Sequence, residues 1–312
     1  MDNKRVAVMD LGTNTFHLLI AEGPADNFTT IFKATEAVKL GEGGINKGII
    51  QPAAFARGLA AMQYFQDQLL EHRVADVKAI ATSAIRSAAN GQDFIDQVAE
   101  KTGIQIELIS GDQEAGYIYR GIDASGCLTD DNALIMDIGG GSVEFIIANN
   151  DEVLWKQSIE IGAARLMDKF HQTDPIPVAS IKELTRYLDG KLTELFAAAL
   201  KYKPTTLVGS SGAFESFAEV IELKRGRKFN LDQTKVYEFD TDDLLDLIEL
   251  LIKSTHALRA SIKGIIPVRV DMVVVASLLT IYMMQKLGLT DVTLSTYSLK
   301  EGVLAQMLTT LQ

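Results

Sequence analysis

The chain has 312 residues, 47% of them hydrophobic and 23% charged, which suits a globular protein long enough for about two domains. With 41 Asp and Glu against 30 Lys and Arg the formal charge is −11, a field that opposes binding to nucleic acid or to anionic membranes. Cys127 is the only cysteine, so no intrachain disulfide forms, and no apolar export segment precedes the first strand; the cytoplasm is the expected compartment. The longest apolar run, Met272 to Met284, falls short of the roughly twenty residues that cross a bilayer and is expected to be a buried helix.

In chain order, Arg5 to Ala21 reads as a strand carrying Asp10 at its tip, a Gly12-Thr13-Asn14 turn and a return strand bearing His17. Phe28 to Leu40 is expected to form a third strand. Apolar residues at Phe55, Leu59, Met62, Phe65 and Leu69 give Pro52 to Leu70 helical spacing, with Pro52 suited to a first turn. A strand at Val77 to Thr82, a helix at Gln92 to Lys101, a strand at Ile104 to Ile109 and a helix at Gln113 to Asp123 complete a βββαβαβα order. A short linker falls around Ala124 to Asn132, where Gly126, Asp130, Asp131 and Asn132 cluster, and divides the chain into lobes at 1–125 and 126–312.

At Ala133 the opening plan returns. Strands at Ala133 to Ile138 and Val143 to Ala148 flank Asp137 and the run Gly139-Gly140-Gly141-Ser142. Sliding one segment onto the other places Asp10 on Asp137, Gly12 on Gly139 and His17 on Glu144. This internal repeat at a spacing of 127 residues is too long for a solenoid and suits a duplicated domain. Glycine lets backbone N–H groups approach an anion that a Cβ would push away. Gly12, Thr13 and Asn14 in one half, and Gly139, Gly140, Gly141 and Ser142 in the other, are therefore expected to form two facing phosphate cradles. Strands follow at Glu152 to Ile159, Thr205 to Val208 and Val292 to Ser295. Helices are expected at Ala163 to Phe170, Ala179 to Leu200, Ala213 to Leu223, from a cap at Asp240 or Thr241, at Asp271 to Leu287 and near Leu299 to Leu311. Lys224 to Tyr237 reads as a surface loop whose basic run, Lys224 to Lys228, is a solvated face or a guide for a polyanion.

Several residues could carry chemistry. Asp10 and Asp137, at the tips of the cradles, would hold a divalent cation between successive phosphates, and magnesium fits best because it takes few protein carboxylates and fills its shell with phosphate and water oxygens. Glu114 opens a helix at the sheet edge where such folds bind ligands, although a carboxylate there also serves the helix dipole. Arg86 follows a strand and could grip a phosphate or form an interlobe salt bridge. His17 could approach the cleft or pack within its strand. His72, His171 and His256 are scattered, and neither HExxH, GK[ST] nor GxSxG occurs.

Taken together, Asp10 to His17, Lys39 to Gly43, Ala81 to Arg86, Ser110 to Ala115 and Asp137 to Glu144 resemble, in order, the blocks of the exopolyphosphatase and guanosine pentaphosphate phosphatase family. Ile161 to Leu166, Gly209 to Gly212 and Lys300 to Val303 continue the resemblance over nearly the whole chain. The resemblance implies an α/β fold of two duplicated ribonuclease-H-like lobes, as in the actin, sugar-kinase and heat-shock-chaperone superfamily, with an interdomain cleft. It further implies Glu114 as the base that activates water, Asp137 as the magnesium ligand and Glu144 as a second acidic contributor. The expected reaction is hydrolysis of a terminal phosphoanhydride of polyphosphate or guanosine pentaphosphate, and the expected assembly is a homodimer. Longer members carry a helical C-terminal region absent here, which favours short chains or the nucleotide as substrate. Lys39, Val143 and Lys300 stand where Arg, Thr and Arg are usual, and Val143 removes a hydroxyl beside the second cradle. The rivals are a sugar or acid kinase of the same superfamily and a non-catalytic nucleotide-dependent switch.

Overall fold

The computed structural model describes residues 5–25, 28–74 and 76–310; the expected end of the last helix at Leu311 lies outside them. The first half contains β1 (Arg5–Leu11), β2 (Phe16–Glu22), β3 (Thr29–Glu36), α1 (Pro52–Glu71), β4 (Asp76–Ala81), α2 (Ser83–Ser87), α3 (Gly91–Thr102), β5 (Ile106–Leu108) and α4 (Gly111–Ser125). The second contains β6 (Ala133–Ile138), β7 (Val143–Ala148), β8 (Val153–Ile159), α5 (Ala163–Phe170), α6 (Val178–Lys191), α7 (Thr193–Tyr202), β9 (Thr206–Ser210) and α8 (Gly212–Lys224). It closes with β10 (Val236–Glu238), α9 (Thr241–Lys253), α10 (His256–Ser261), α11 (Met272–Leu287), β11 (Asp291–Ser295) and α12 (Leu299–Thr310).

The duplication is explicit in the strand pairing. One sheet has the order β3-β2-β1-β4-β5 and the other β10-β11-β9-β6-β7-β8. β1 runs antiparallel to β2 and parallel to β4, as β6 does to β7 and β9. Even the irregularity is copied: the register shifts between Ile20 and Ala21 and again between Ile147 and Ala148, residues that the internal repeat superposes.

Side chains alternate across each strand, and this sorts the core into layers. Ala7, Met9 and Leu11 face outward against Met62 and Phe65 of α1 and Phe94 of α3. Leu134 and Met136 likewise face outward into the larger helical layer of the second half. The opposite faces, Val6 and Val8 in β1 and Ala133 and Ile135 in β6, enclose Ile118 and Ile122 of α4 and Val303 and Leu304 of α12. These two helices lie between the sheets, and they cross backbone to backbone. A Cβ on Gly302 would sit 1.8 Å from the Tyr117 carbonyl, and one on Gly121 2.0 Å from that of Ser298. The crossing seats the start of α12 deep between the lobes.

Some elements differ from the expectation. The single helix expected over Ala179 to Leu200 is two, α6 and α7, broken at Leu192. Leu188, Leu192 and Leu195 are all fully buried, so the apolar spacing continues through a break that only the backbone records. The one-turn helix α2 and the six-residue α10 are too short to show a period, and β10 occupies the end of the expected loop at Lys224 to Tyr237. Within that loop, Arg227 binds Glu222 at 2.5 and 2.7 Å and Arg225 pairs with Glu222 and Asp243, so half of the basic run is neutralised locally. No helix of the described residues is long and apolar enough to cross a membrane.

Candidate active site

The two-residue period of the strands selects which polar residues meet. Asp10 shares the inner face with Val6 and Val8, and Asp137 shares it with Ala133 and Ile135. The register places His17 opposite Asp10 and Glu144 opposite Asp137. Four polar side chains thus converge at the strand ends between the sheets, around a cavity of about 170 Å³ that they line together with both cradles, Glu114 and Lys300.

Glu114 arrives there through a helix start written in the sequence. The Ser110 hydroxyl accepts from the Gln113 amide at 3.2 Å while Gln113 Oε1 accepts from the Ser110 amide at 2.9 Å. This reciprocal cap fixes the first turn of α4 and aims Glu114 at the cavity. Arg86 NH1 donates to Glu114 Oε2 at 2.9 Å and to the Ile109 carbonyl at 3.1 Å. Arg86 does not line the cavity; it holds the carboxylate that does.

Each cradle turns its carbonyls away from the cavity. The Gly139, Gly140 and Gly141 carbonyls accept from the Ala163, Ala164 and Gly162 amides at 2.8, 2.9 and 3.2 Å, at the start of α5. The Thr13 and Asn14 carbonyls accept from the Gly41 and Lys39 amides at 3.1 and 2.8 Å, with Lys39 in the left-handed region at φ 48°. Among the described residues, the Gly140, Gly141 and Ser142 amides donate to no main-chain carbonyl outside the strand ladders, which leaves them for an anion. The cradles also touch: a Cβ on Gly140 would lie 2.3 Å from Asn14 Nδ2 and 2.8 Å from Thr13 Cβ. Gly140→Ala is therefore expected to force the cradles apart and lower kcat/KM by on the order of tenfold or more without unfolding, as circular dichroism and phosphate-release kinetics would show.

Burial dominates the electrostatics. It pushes the Asp10 and Glu114 pKa values up to about 7, against the nearby Lys300 and Arg86 charges respectively. Asp137 is also raised by burial, although Ser210 Oγ donates to its Oδ2 at 2.6 Å and Ser298 Oγ donates to the same atom. Glu144 is raised well above the carboxylate range by burial and by the Glu114 and Asp137 charges, while Ser158 Oγ donates to its Oε1 at 2.6 Å. Two buried carboxylates this close cannot both ionise freely. Each charge disfavours ionisation of the other, and the Arg86 guanidinium beside Glu114 opposes that rise for Glu114. His17, its ring nitrogens paired with Thr15 at 2.9 Å and Thr35 at 3.0 Å, is held neutral, its pKa lowered to about 3 by burial, Lys300 and Arg269. Burial works against the Lys300 ammonium, yet Glu301, Glu215 and Asp10 together raise its pKa above the usual lysine value.

Residues 19–311 match the Ppx/GppA phosphatase family. The chain belongs to that family. It is 26% identical over 307 residues to the protein named exopolyphosphatase 1 of Mycobacterium tuberculosis, covering 97% of this chain and 88% of that one. It is 24% identical over 302 residues to the Aeromonas hydrophila protein named guanosine-5'-triphosphate,3'-diphosphate pyrophosphatase, covering 97% of this chain and 59% of that one. The crystal structure of an exopolyphosphatase from Cytophaga hutchinsonii superposes with a TM-score of 0.95 at 42% identity over 99% of both chains. A crystal structure of the Aquifex aeolicus family member, with a TM-score of 0.82 at 22% identity, shares the fold. As a Ppx/GppA member the protein is a hydrolase, and neither rival reading is favoured.

Within this family frame, the structure brings Gly12, Thr13, Asn14, Gly139, Gly140, Gly141, Ser142, Asp10, Glu114, Asp137 and Glu144 to one cavity and leaves Arg86 behind it. The Asn14 side chain is committed to the other half, where its amide donates to Met272 Sδ at 2.9 Å. Residues not singled out as site residues from the sequence also line the cavity: Ser298, Lys300, Glu215 and Arg269, the last donating to Glu215 at 2.8 Å. The block at Lys300 to Val303 pointed to Lys300; nothing in the sequence pattern pointed to Ser298 or to the loop around Arg269. The donor set suits a small hard cation. Asp10 Oδ1 is buried with no hydrogen-bond partner, and Asp137, whose Oδ2 is held by Ser210 and Ser298, stands beside it in the cavity wall. Among the described residues no three His, Cys, Asp or Glu side chains could hold a metal alone. A cation here would take most of its ligands from phosphate and water, as magnesium does.

Proposed function

We propose that the protein releases terminal orthophosphate from inorganic polyphosphate, from guanosine pentaphosphate or from both. The observation that carries this reading is Glu114, a buried carboxylate in the cavity wall beside two amide cradles, with a pKa near neutrality and one oxygen fixed by Arg86. The names of the relatives support both substrates.

In this mechanism the free amides of the cradles bind the non-bridging oxygens of the last phosphates. Glu114 orients a water and takes its proton as the water oxygen attacks the terminal phosphorus. The bond to the bridging oxygen breaks, and its electrons leave with the shortened chain or nucleotide. Asp137 and Asp10 would hold magnesium, which when bound would neutralise charge on the phosphoryl oxygens. A protonated Glu144 would spare Glu114 a neighbouring negative charge. The acceleration comes from positioning and charge stabilisation, as in phosphoryl transfer generally. A cytoplasmic setting and a homodimer belong to the same proposal, and light scattering reads the second directly.

Phosphate release should be assayed in parallel on long polyphosphate, short polyphosphate, guanosine pentaphosphate and ATP. Release is expected from at least one of the first three without any acceptor, lost on chelation and restored by magnesium. Absence of release from all of them would overturn the reading.

A further inference from the structure

We infer that Arg165 couples closure of the two lobes to the shape of the second phosphate cradle, and is thereby a positioning residue for the hydrolysis proposed above, on which this inference rests. Arg165 lies on α5 with its side chain 13% exposed. Its Nε donates to the Gly141 carbonyl at 2.8 Å, within the cradle itself. Its NH1 donates to the Ile45 carbonyl at 2.7 Å and its NH2 to Ser87 Oγ at 2.9 Å, both in the first half of the chain. NH2 also pairs with Glu160, whose Oε1 accepts from Ser83 Oγ at 3.3 Å. Asn46 completes the seam by donating to the Arg165 carbonyl at 3.1 Å and to Asp168 at 2.8 Å. One planar fork thus spans both halves and the phosphate loop. A lysine, with its donors on a single atom, could not reach all of these acceptors.

The cradles must part during turnover. They are in van der Waals contact, and the cavity of about 170 Å³ is small beside the roughly 300–1,000 Å³ of sites that enclose a whole ligand of drug size. The closed lobes therefore enclose only the reacting end of a phosphate chain or nucleotide. Admitting it, and releasing product, requires the seam to open. When it opens, NH1 and NH2 lose Ile45 and Ser87, the guanidinium plane loses two of its restraints, and the Gly141 carbonyl is left with the longer Gly162 amide contact at 3.2 Å as its fixed partner, so that its neighbouring amides are held less firmly toward the cavity. Among the described residues, the ion pairs that cross between the halves, Lys33 to Asp232 at 2.9 Å and Lys156 to Asp112 at 3.1 Å, each have an exposed carboxylate, and none of their residues belongs to a cradle. Exposed pairs of that kind contribute little.

The test uses the full chain in a Cys127→Ser background with labels on cysteines placed at two exposed positions, Leu70 in α1 and Leu200 in α7. Label-to-label distances are measured in the parent and in Arg165→Ala, Arg165→Lys and Ser87→Ala variants, beside phosphate-release kinetics. Arg165→Ala is expected to lengthen and broaden the distance distribution and to lower kcat/KM by on the order of thirtyfold. Arg165→Lys should rescue little, and Ser87→Ala, which removes one seam contact and leaves Gly141 held, should open the lobes with a smaller kinetic loss. Unchanged distances in Arg165→Ala, or turnover equal to the parent, would overturn the inference. If the parent releases no phosphate from any substrate, the functional reading fails, while the distances still decide whether Arg165 closes the lobes.

Discussion

Glu114→Gln is expected to lower phosphate release by about a hundredfold or more while leaving substrate affinity nearly unchanged. Glutamine keeps the volume and can still accept from Arg86, but it cannot take a proton from water. The same assignment fixes the pH profile. Burial raises the Glu114 pKa to about 7, so below that pH the carboxyl is protonated and the base is lost, and activity should rise with pH through neutrality. Arg86 opposes that rise through its charge and its hydrogen bond. Arg86→Ala should therefore move the acidic limb to higher pH rather than simply scale the rate. Profiles of kcat/KM for the parent and the two variants decide the matter: undiminished turnover in Glu114→Gln would reject the base, and an unmoved limb in Arg86→Ala would reject Arg86 as its tuner.

The parts of this site that were legible in the sequence are those set by local rules. Alternation along strands, read from Asp10 and Asp137, already places both carboxylates on one kind of face, and the spacing of the repeat already pairs His17 with Glu144. The Ser110 to Gln113 cap fixes Glu114 within a few residues of chain. What could not be read depends on distant segments meeting. Arg86 has its donors at a strand-to-helix turn, and its bond to Glu114 follows from how α2 packs beside the start of α4. Arg269 and Glu215 are 54 residues apart and bond only because α8 and the loop before α11 adjoin in the fold. Lys300 stands out only as a departure from the family pattern; its place in the cavity wall depends on the Gly121 and Gly302 crossing, which no single segment reveals. The break at Leu192 was hidden for a related reason, since buried leucines continue the same spacing on both sides of it.

The same burial that tunes the site should destabilise the protein free of ligand as pH rises. Asp10 and Glu114 have folded-state pKa values of about 7 against reference values of 3.8 and 4.5. A carboxyl whose pKa is raised by folding contributes its stability in full below the unfolded value and loses it as pH climbs through the folded one. The ligand-free protein should thus be most stable near pH 4, weaken progressively up to about pH 7 and level off above it. At about 1.4 kcal/mol per pH unit, Asp10 alone carries on the order of 2 to 4 kcal/mol of that loss. Asp10→Asn removes the ionisation while keeping the shape, and Lys300 retains Glu301 at 3.2 Å as a partner. The variant should melt roughly 5 °C above the parent at pH 8, and the gap should narrow through pH 5 and close toward pH 4. Its phosphate release should fall sharply, the usual trade between stability and a strained site. Magnesium with phosphate should raise the parent's Tm more than the variant's, because the charge that the pair would neutralise is gone. Thermal melts across pH 4 to 8 test this: a parent that gains stability with pH over that range, or an Asp10→Asn variant that melts lower at pH 8, would show that Asp10 is not held as a strained carboxylate.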